Sequence, residues 1–340
     1  MQRHAWRMMP KAGSIDHLKL VEESIENPEA YEVQIEVKAI GLNFADIFAM
    51  YGLYGATPPG SFVPGLEFSG IVLQKGGKVS SLSIGDKVMG VTRFGGYTSH
   101  LNINQSYLVP LPEDWNFEEG AAYLVQVLTA YYGLVELGNL KPEQTVLIQS
   151  AAGGVGLWAN RIAKLKGAFT IGCVGSESKL PLLRTEGYDV GFVRGKNFRN
   201  ELHKALGKRA LHLVMECVGG RVFMDSYLAM APEGRMIVYG SARYAQTSAK
   251  PNYLKLLWLF WKRPKLDPQK MIEQNKAVMG FNLIYLYENA PLLHKILGEL
   301  SQMDLGKPHV GHSFGFNAMK EAISLFQTGK TTGKVVVKLD

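Results

Sequence analysis

The stretch Thr145-Val146-Leu147-Ile148-Gln149-Ser150-Ala151-Ala152-Gly153-Gly154-Val155-Gly156 runs a buried-strand pattern directly into a glycine-rich turn. Val146, Leu147 and Ile148 are apolar in succession, as expected of a strand covered on both faces of a parallel sheet. Apolar residues then recur at helical spacing through Val155, Ala159, Ile162, Ala163 and Leu165, which predicts a helix over 155–166. Strand, tight turn and helix in that order turn backbone N–H groups and a helix N-terminus toward a pyrophosphate. The first glycine of the usual pattern is Ala151 here. The turn is therefore open to two readings, a dinucleotide cradle or a tight structural turn, and its setting favours the first.

Toward the C-terminus, short apolar runs at 169–174, 190–193, 211–216 and 236–239 alternate with helical patterns at 180–186, 198–206 and 222–230. A turn at Pro232-Glu233-Gly234 precedes the last of these strands. This alternation predicts a doubly wound parallel sheet. The breaks after the strands, Gly175-Ser176, Arg194-Gly195, Cys217-Val218-Gly219 and Gly240-Ser241, are where such a sheet places its ligand. Toward the N-terminus the period changes. Tyr31, Val33, Ile35, Val37 and Ala39 alternate with polar residues, and glycines and prolines punctuate the next stretch from Gly52 to Gly77. That predicts an all-β, turn-rich domain of roughly 120 residues. Residues 288–328 read as two helices around a strand, and 334–339 as a closing strand.

The 340 residues are 46% hydrophobic and 20% charged, which suits two globular domains with substantial cores. The formal charge of +7 is scattered along the chain, so a basic solvated surface is the reading and nucleic acid is not an expected partner. No charged segment followed by an apolar one opens the chain, and the expectation is a cytoplasmic protein. Two cysteines, Cys173 and Cys217, cannot form a disulfide framework and read as buried thiols at strand ends.

Several segments carry a family resemblance. Gly41-Leu42-Asn43-Phe44-Ala45-Asp46, Met50-Tyr51-Gly52-Leu53-Tyr54, Pro64-Gly65-Leu66-Glu67-Phe68-Ser69-Gly70, Thr129-Ala130-Tyr131 and Thr332-Gly333-Lys334-Val335-Val336 resemble the zinc-free quinone oxidoreductases of the medium-chain dehydrogenase/reductase superfamily. Asn275–Leu283 and Lys307-Pro308-His309 resemble its vesicle amine transport protein branch. The resemblance covers essentially the whole chain. It implies an α/β fold: a GroES-like β domain built from residues 1–123 and 282–340, with a Rossmann domain inserted at 124–281.

The resemblance also implies chemistry. Zinc-dependent members place a cysteine where this chain has Asn43 and a Gly-His-Glu where it has Gly65-Leu66-Glu67, and a structural zinc would need a cluster of four ligands that is not present. His309 and His312 lack a third partner at comparable spacing, so no metal is expected. A quinone or α,β-unsaturated carbonyl accepts hydride without a Lewis acid, leaving an oxyanion to be stabilised by hydrogen-bond donors. Asn43 and Tyr54 are the candidate donors, with a packed loop aromatic as the alternative for Tyr54. Asp46 is the third candidate, more as a support of loop geometry or a cofactor contact than as a base.

For the cofactor, the matching positions are Asn43, Asp46, Gln126 and Thr129, then Gly153, Gly154, Val155 and Gly156 of the turn. Gly175, Ser176, Lys179 and Arg194 follow at the second and third strand ends. Cys217, Tyr239, Gly240, Ser241, Phe281 and Lys334 complete the set. An acid at the second strand end favours NAD, and cations there accommodate the extra phosphate of NADP. Lys179 and Arg194 outweigh Glu177, which stands beyond the strand tip, and NADPH is the expected cofactor. The class opposed to a reductase is a low-turnover NADPH-binding interaction protein at membranes, and fold alone does not separate the two.

One segment stands apart. Tyr253-Leu254-Lys255-Leu256-Leu257-Trp258-Leu259-Phe260-Trp261 is apolar and aromatic, with Lys250, Lys262, Arg263 and Lys265 around it. It is too short to span a bilayer, which takes about 20 residues. A subunit interface, a lid over the substrate pocket and a peripheral membrane contact are all open to it. The run 277–280 resembles the edge strand through which the superfamily pairs, so a homodimer is expected.

Overall fold

The computed structural model describes residues 1–339. Six parallel strands form one sheet: Thr145–Gln149, Phe169–Val174, Val190–Val193, Leu211–Glu216, Met230–Val238 and Ala277–Gly280. Numbered along the chain, they lie side by side as 3-2-1-4-5-6. That order reverses between Thr145–Gln149 and Leu211–Glu216, and a doubly wound sheet opens its ligand crevice at such a reversal. The first strand is fully buried along its length, as its unbroken apolar run requires.

The glycine turn sits at this switch point. Gly153 caps the helix Gly154–Leu165, and Ser150 takes a φ of 52° to start the bend. A Cβ on Gly156 would lie 2.6 Å from the Ala151 carbonyl oxygen, so only glycine lets the helix pack this closely on its strand. The Tyr188 hydroxyl donates to the Gly156 carbonyl at 2.7 Å and secures the first turn.

A second sheet draws strands from both ends of the chain, in the order Val310–Gly315, Lys334–Lys338, Glu32–Gly41, Glu67–Lys75, Lys87–Val91, Leu108–Pro110, with His100–Asn104 also paired to Glu32–Gly41. Lys334–Lys338 runs antiparallel to Glu32–Gly41, with Val336 opposite Gly41 and the Leu42 N–H on the Val335 carbonyl. This register brings Lys334 beside the start of the Asn43 loop. Gly333 in turn bridges to Gly153, its N–H donating to the Ala152 carbonyl at 2.8 Å. One short run of residues therefore touches both sheets.

The N-terminal third departs from the all-β expectation. It carries the helices Phe44–Met50 and Phe117–Gly120. Both begin with a polar pair three residues apart, Asn43 with Asp46 and Asn116 with Glu119, a local start signal that the glycine and proline density obscures. The expected turn at Pro232-Glu233-Gly234 is instead a kink within the Met230–Val238 strand, where Glu233 takes a φ of 66° and its N–H reaches the Asn275 carbonyl. Residues 283–305 add Leu283, Ile284, Leu293, Ile296 and Leu300 to the cluster around Leu124, Val127, Ile148 and Trp158. The β core gathers separately around Val33, Ile35, Phe68, Tyr97 and Val337. Among the described residues, no helix is long and apolar enough to cross a membrane.

Gly156→Ala is expected to cost about 1–3 kcal/mol, since the added methyl meets backbone that cannot move aside as a side chain would. Thermal unfolding of the variant against the parent protein measures this, and an unchanged midpoint would refute the close-packing argument.

Candidate active site in the interdomain cleft

A cleft of ≈ 1050 Å³ opens between the two sheets. Its floor is a polar cluster drawn from two strands of the β-domain sheet, the Asn43 loop and the helix Leu124–Tyr131. The Lys334 ammonium donates to Glu67 Oε2 at 2.7 Å and to Asn43 Oδ1 at 2.9 Å. Gln126 Nε2 donates to the same two oxygens, at 2.8 Å and 3.0 Å. The other Glu67 oxygen accepts from the Val125 N–H at 3.0 Å. Glu67 is fully buried and Lys334 nearly so. Burial holds the Lys334 ammonium below the usual lysine range, against the opposing pull of Glu67. Gly41 makes room for the cluster: a Cβ there would lie 2.7 Å from Lys334 Cε and 2.0 Å from the Ala121 carbonyl oxygen.

This arrangement fixes Asn43. An ammonium only donates, so the amide oxygen must face Lys334. Asn43 Nδ2 gives one hydrogen to the Gly41 carbonyl at 3.2 Å and keeps the other for the cleft. Asp46 stands behind it, fully buried and outside the cleft wall. Its carboxyl accepts from the Asn43 N–H at 2.8 Å and the Tyr97 hydroxyl at 3.0 Å. Burial pushes its pKa up to about 7. Asp46 thus holds the loop rather than touching a ligand, which corrects its placing among catalytic and cofactor contacts.

Tyr54 lines the cleft with its hydroxyl on Asn282 Oδ1 at 2.7 Å. Burial pushes the phenol up to about 12, with Asn282 opposing. A group held that high is a better hydrogen-bond donor than a source of free protons.

The nucleotide end of the cleft follows from the parallel sheet. Gly153, Gly154, Val155 and Gly156 line it, and a Cβ on Gly154 would lie 2.8 Å from Gln126 Cγ. Gly175 and Arg194 meet at the ends of the second and third strands, where a Cβ on Gly175 would come 3.4 Å from Arg194 Nη2. Arg194 Nη1 is buried and has no hydrogen-bond partner, although a guanidinium normally finds acceptors. The Lys179 ammonium spends two donors on the carbonyls of Gly329 and Thr331, each at 2.7 Å. Burial lowers its pKa, and Arg194 nearby adds to the effect. Ser176 lies outside the cleft lining, its hydroxyl on Ser178 at 2.9 Å, so the structure does not bring it to the site. Glu177 is exposed beyond the strand tip.

The remaining sequence candidates all line the cleft: Gln126, Thr129, Cys217, Tyr239, Gly240 and Ser241, together with Phe281 and Lys334. Phe281 is wedged between Tyr132 and Tyr239, with ring centroids 4.9 and 6.5 Å away. Three residues escaped the sequence reading of the site. Glu67 was noted only as part of motifs and not as a site residue, yet a lone acid opening an apolar strand signals a buried partner. Asn282 directly follows Phe281 and carries no marker of its own. Glu216 ends the fourth strand and accepts from the Val218 and Gly219 N–H groups, at 2.6 and 2.5 Å, which folds the turn at Cys217. Among the described residues, no three His, Cys, Asp or Glu side chains gather as a metal set.

Residues 154–295 match the zinc-binding dehydrogenase family model, and residues 29–113 match the alcohol dehydrogenase GroES-like domain. The human synaptic vesicle membrane protein VAT-1 homolog is 31% identical over 332 residues, 96% of this chain and 84% of the relative. Quinone oxidoreductase-like protein 2 of Bos taurus is 30% identical over 332 residues, 94% of this chain and 89% of the relative. The structure of Escherichia coli quinone oxidoreductase complexed with NADPH superposes with a TM-score of 0.84 at 26% identity, covering 99% of this chain and 100% of that one. With its GroES-like and Rossmann parts and the order 3-2-1-4-5-6, the chain belongs to the medium-chain dehydrogenase/reductase superfamily, beside the quinone oxidoreductases and the VAT-1 homologues.

Proposed function

We propose that this oxidoreductase delivers hydride from NADPH to a quinone or an α,β-unsaturated carbonyl without zinc. The observation that carries the reading is the cleft itself. It joins a glycine cradle and an unpartnered arginine at one end to a buried, polar floor at the other. The residues fit the cofactor: the Gly153–Gly156 turn would receive the pyrophosphate, and Arg194 Nη1 would gain the acceptor it lacks. When bound, NADPH supplies the hydride. The E. coli relative described with NADPH supports the same choice.

The chain's own residues then act on the acceptor. The Tyr54 hydroxyl, released from Asn282, and the free Asn43 Nδ2 hydrogen offer donors where an oxygen of the substrate gathers charge. Lys334 and Gln126 keep the Asn43 amide from rotating its oxygen into that place. Phe281, Leu42 and Leu66 make the wall apolar, which suits a planar conjugated acceptor. Zinc independence is supported by Asn43 and Leu66, neither of which ligates zinc. We further propose that residues 1–123 with 282–340 act as the catalytic domain and 124–281 as the cofactor domain. The pairing of two copies through Ala277–Gly280, an edge strand of the parallel sheet, would make the homodimer.

Purified protein with NADPH is expected to reduce members of a quinone and enone panel, with turnover unaffected by chelators. A stoichiometric zinc lost together with activity would overturn the metal-free reading, and no turnover on any acceptor would overturn the reductase.

Arg194→Ala is expected to weaken NADPH binding by more than about tenfold and NADH binding by less than about twofold, since its charge would meet only the extra phosphate. Fluorescence titration of both cofactors decides this, and equal losses would sink the assignment. Lys179→Ala should weaken both, because its ammonium also ties the Thr331 segment to the cofactor end.

Tyr54→Phe is expected to lower kcat by roughly 10- to 100-fold with the NADPH Kd unchanged, the signature of a donor used only in the transition state. Steady-state rates alongside a binding titration separate this from a packing defect, which would move both.

A further inference from the structure

Resting on the reductase reading above, we propose that the Tyr287 hydroxyl binds a second oxygen of the acceptor and so selects substrates with two carbonyl oxygens on one conjugated ring. Tyr287 follows the short helix Leu283–Leu286, on the segment that leaves the parallel sheet after Ala277–Gly280. Tyr285, two residues before it, is 50% exposed. Tyr287 is 1% exposed and lines the cleft.

Among the described residues this hydroxyl has no hydrogen-bond partner; the Tyr107 hydroxyl donates only to the Tyr287 backbone carbonyl, at 3.1 Å. A buried phenol ordinarily finds a partner. Tyr54 and Tyr239, which line the same cleft, find theirs in Asn282 and Cys217. The Tyr227 hydroxyl also lacks a partner but is wholly enclosed, whereas that of Tyr287 opens on the cleft. The ring holds this oxygen in place. It belongs to the apolar cluster of Leu66, Leu124 and Ile284 and lies 6.3 Å from the Tyr107 ring, centroid to centroid. A flip about the ring axis returns the oxygen to the same point. Burial pushes the phenol well above its ordinary range, and Glu67, Tyr54 and Asp46 add to the effect. The group therefore stays protonated and serves as a donor, close to the buried floor and to Tyr54.

Two sets of donors in one cleft suit an acceptor with two oxygens. Delivered to one end of a quinone, hydride adds one proton and two electrons and sends the negative charge through the ring to the opposite oxygen. Asn43 Nδ2 and Tyr54 meet the oxygen where that charge gathers, and Tyr287 holds the other. Both phenols keep their protons, and the product monoanion takes its second proton from water on release. An enone with one carbonyl uses only Asn43 and Tyr54 and leaves the Tyr287 hydroxyl buried and unanswered. A site built to hydrogen-bond a ligand group penalises the analogue that lacks it. The apolar wall receives both kinds of ring alike, so the choice between them falls to this hydroxyl.

The test compares duroquinone, which has two ring carbonyls and no open ring position for a thiol to attack, with carvone, an enone of similar size and one carbonyl. Tyr287→Phe keeps the ring and removes only the oxygen. It is expected to raise the KM for duroquinone by about 3- to 10-fold, the range of one neutral hydrogen bond, and to lower the preference for duroquinone over carvone by the same factor. Tyr54→Phe, which acts on the oxygen that both acceptors present, should lower kcat for both and leave the preference where it was. Binding is read separately. With NADP+ present, which has no hydride to give, calorimetry on the full chain is expected to show duroquinone bound more tightly than carvone, and the difference lost in Tyr287→Phe. Equal losses on both acceptors would make Tyr287 a packing residue and overturn the proposal. A parent protein that binds the two rings equally overturns it without any variant. If the parent reduces neither acceptor yet binds duroquinone more tightly through Tyr287, the reductase reading fails and the two-oxygen site stands.

Discussion

The Lys334–Glu67 ion pair is the constraint on which the site depends. It lies in a protein interior, where desolvating two charges offsets much of their attraction, so stability alone does not explain it. What it does achieve is register. The ammonium arrives on a strand from the far end of the chain, and the carboxylate sits on a strand of the first domain. Asn43 and Gln126 join them from a loop and from the helix that leads into the parallel sheet. Removing either charge would leave the other buried and unanswered, a loss of about 3–5 kcal/mol. The pair therefore couples the position of the Asn43 loop to the register of strands from both ends of the chain within one sheet.

Asp46 and Tyr97 extend this logic away from the cleft. A carboxyl fully buried behind the cleft wall does not reach a ligand, and it anchors the Asn43 N–H. Asn43 is thus fixed through its backbone by Asp46 and through its side chain by Lys334 and Gln126. Two independent restraints on one amide leave a single hydrogen free, and that directional poverty suits a site that must discriminate where charge develops rather than bind every polar group.

Much of the fold was legible in the sequence because its signals are local. The run Val146–Ile148 into Gly153–Gly156 announces strand, turn and helix within twelve residues, and the Phe198–Leu206 helix carries its own period. Where local signals compete, reading failed. The helix Phe44–Met50 is short and hidden among glycines and prolines, and Glu233 bends a strand that looks broken. Of the candidate site, residues on strand ends were readable because parallel sheets bind there. Glu67, Asn282 and the orientation of Ser176 were not, since each depends on a partner distant in sequence or on a single torsion. Asp46 sits in a recognisable motif, but a motif names a neighbourhood and does not say which side of the wall a carboxyl faces.

The pairing of Lys334–Lys338 with Glu32–Gly41 has a consequence for synthesis. A ribosome that has made residues 1–330 has already produced the glycine turn and the Asn43 loop, and the cofactor sheet can fold before the following residues emerge. The floor of the cleft cannot form at that stage, because its cation and the Gly333 bridge to the glycine turn have yet to emerge. The floor of the cleft therefore assembles only when a few residues zip into a waiting edge. A chain lacking them would keep its parallel sheet and lose the floor of the cleft.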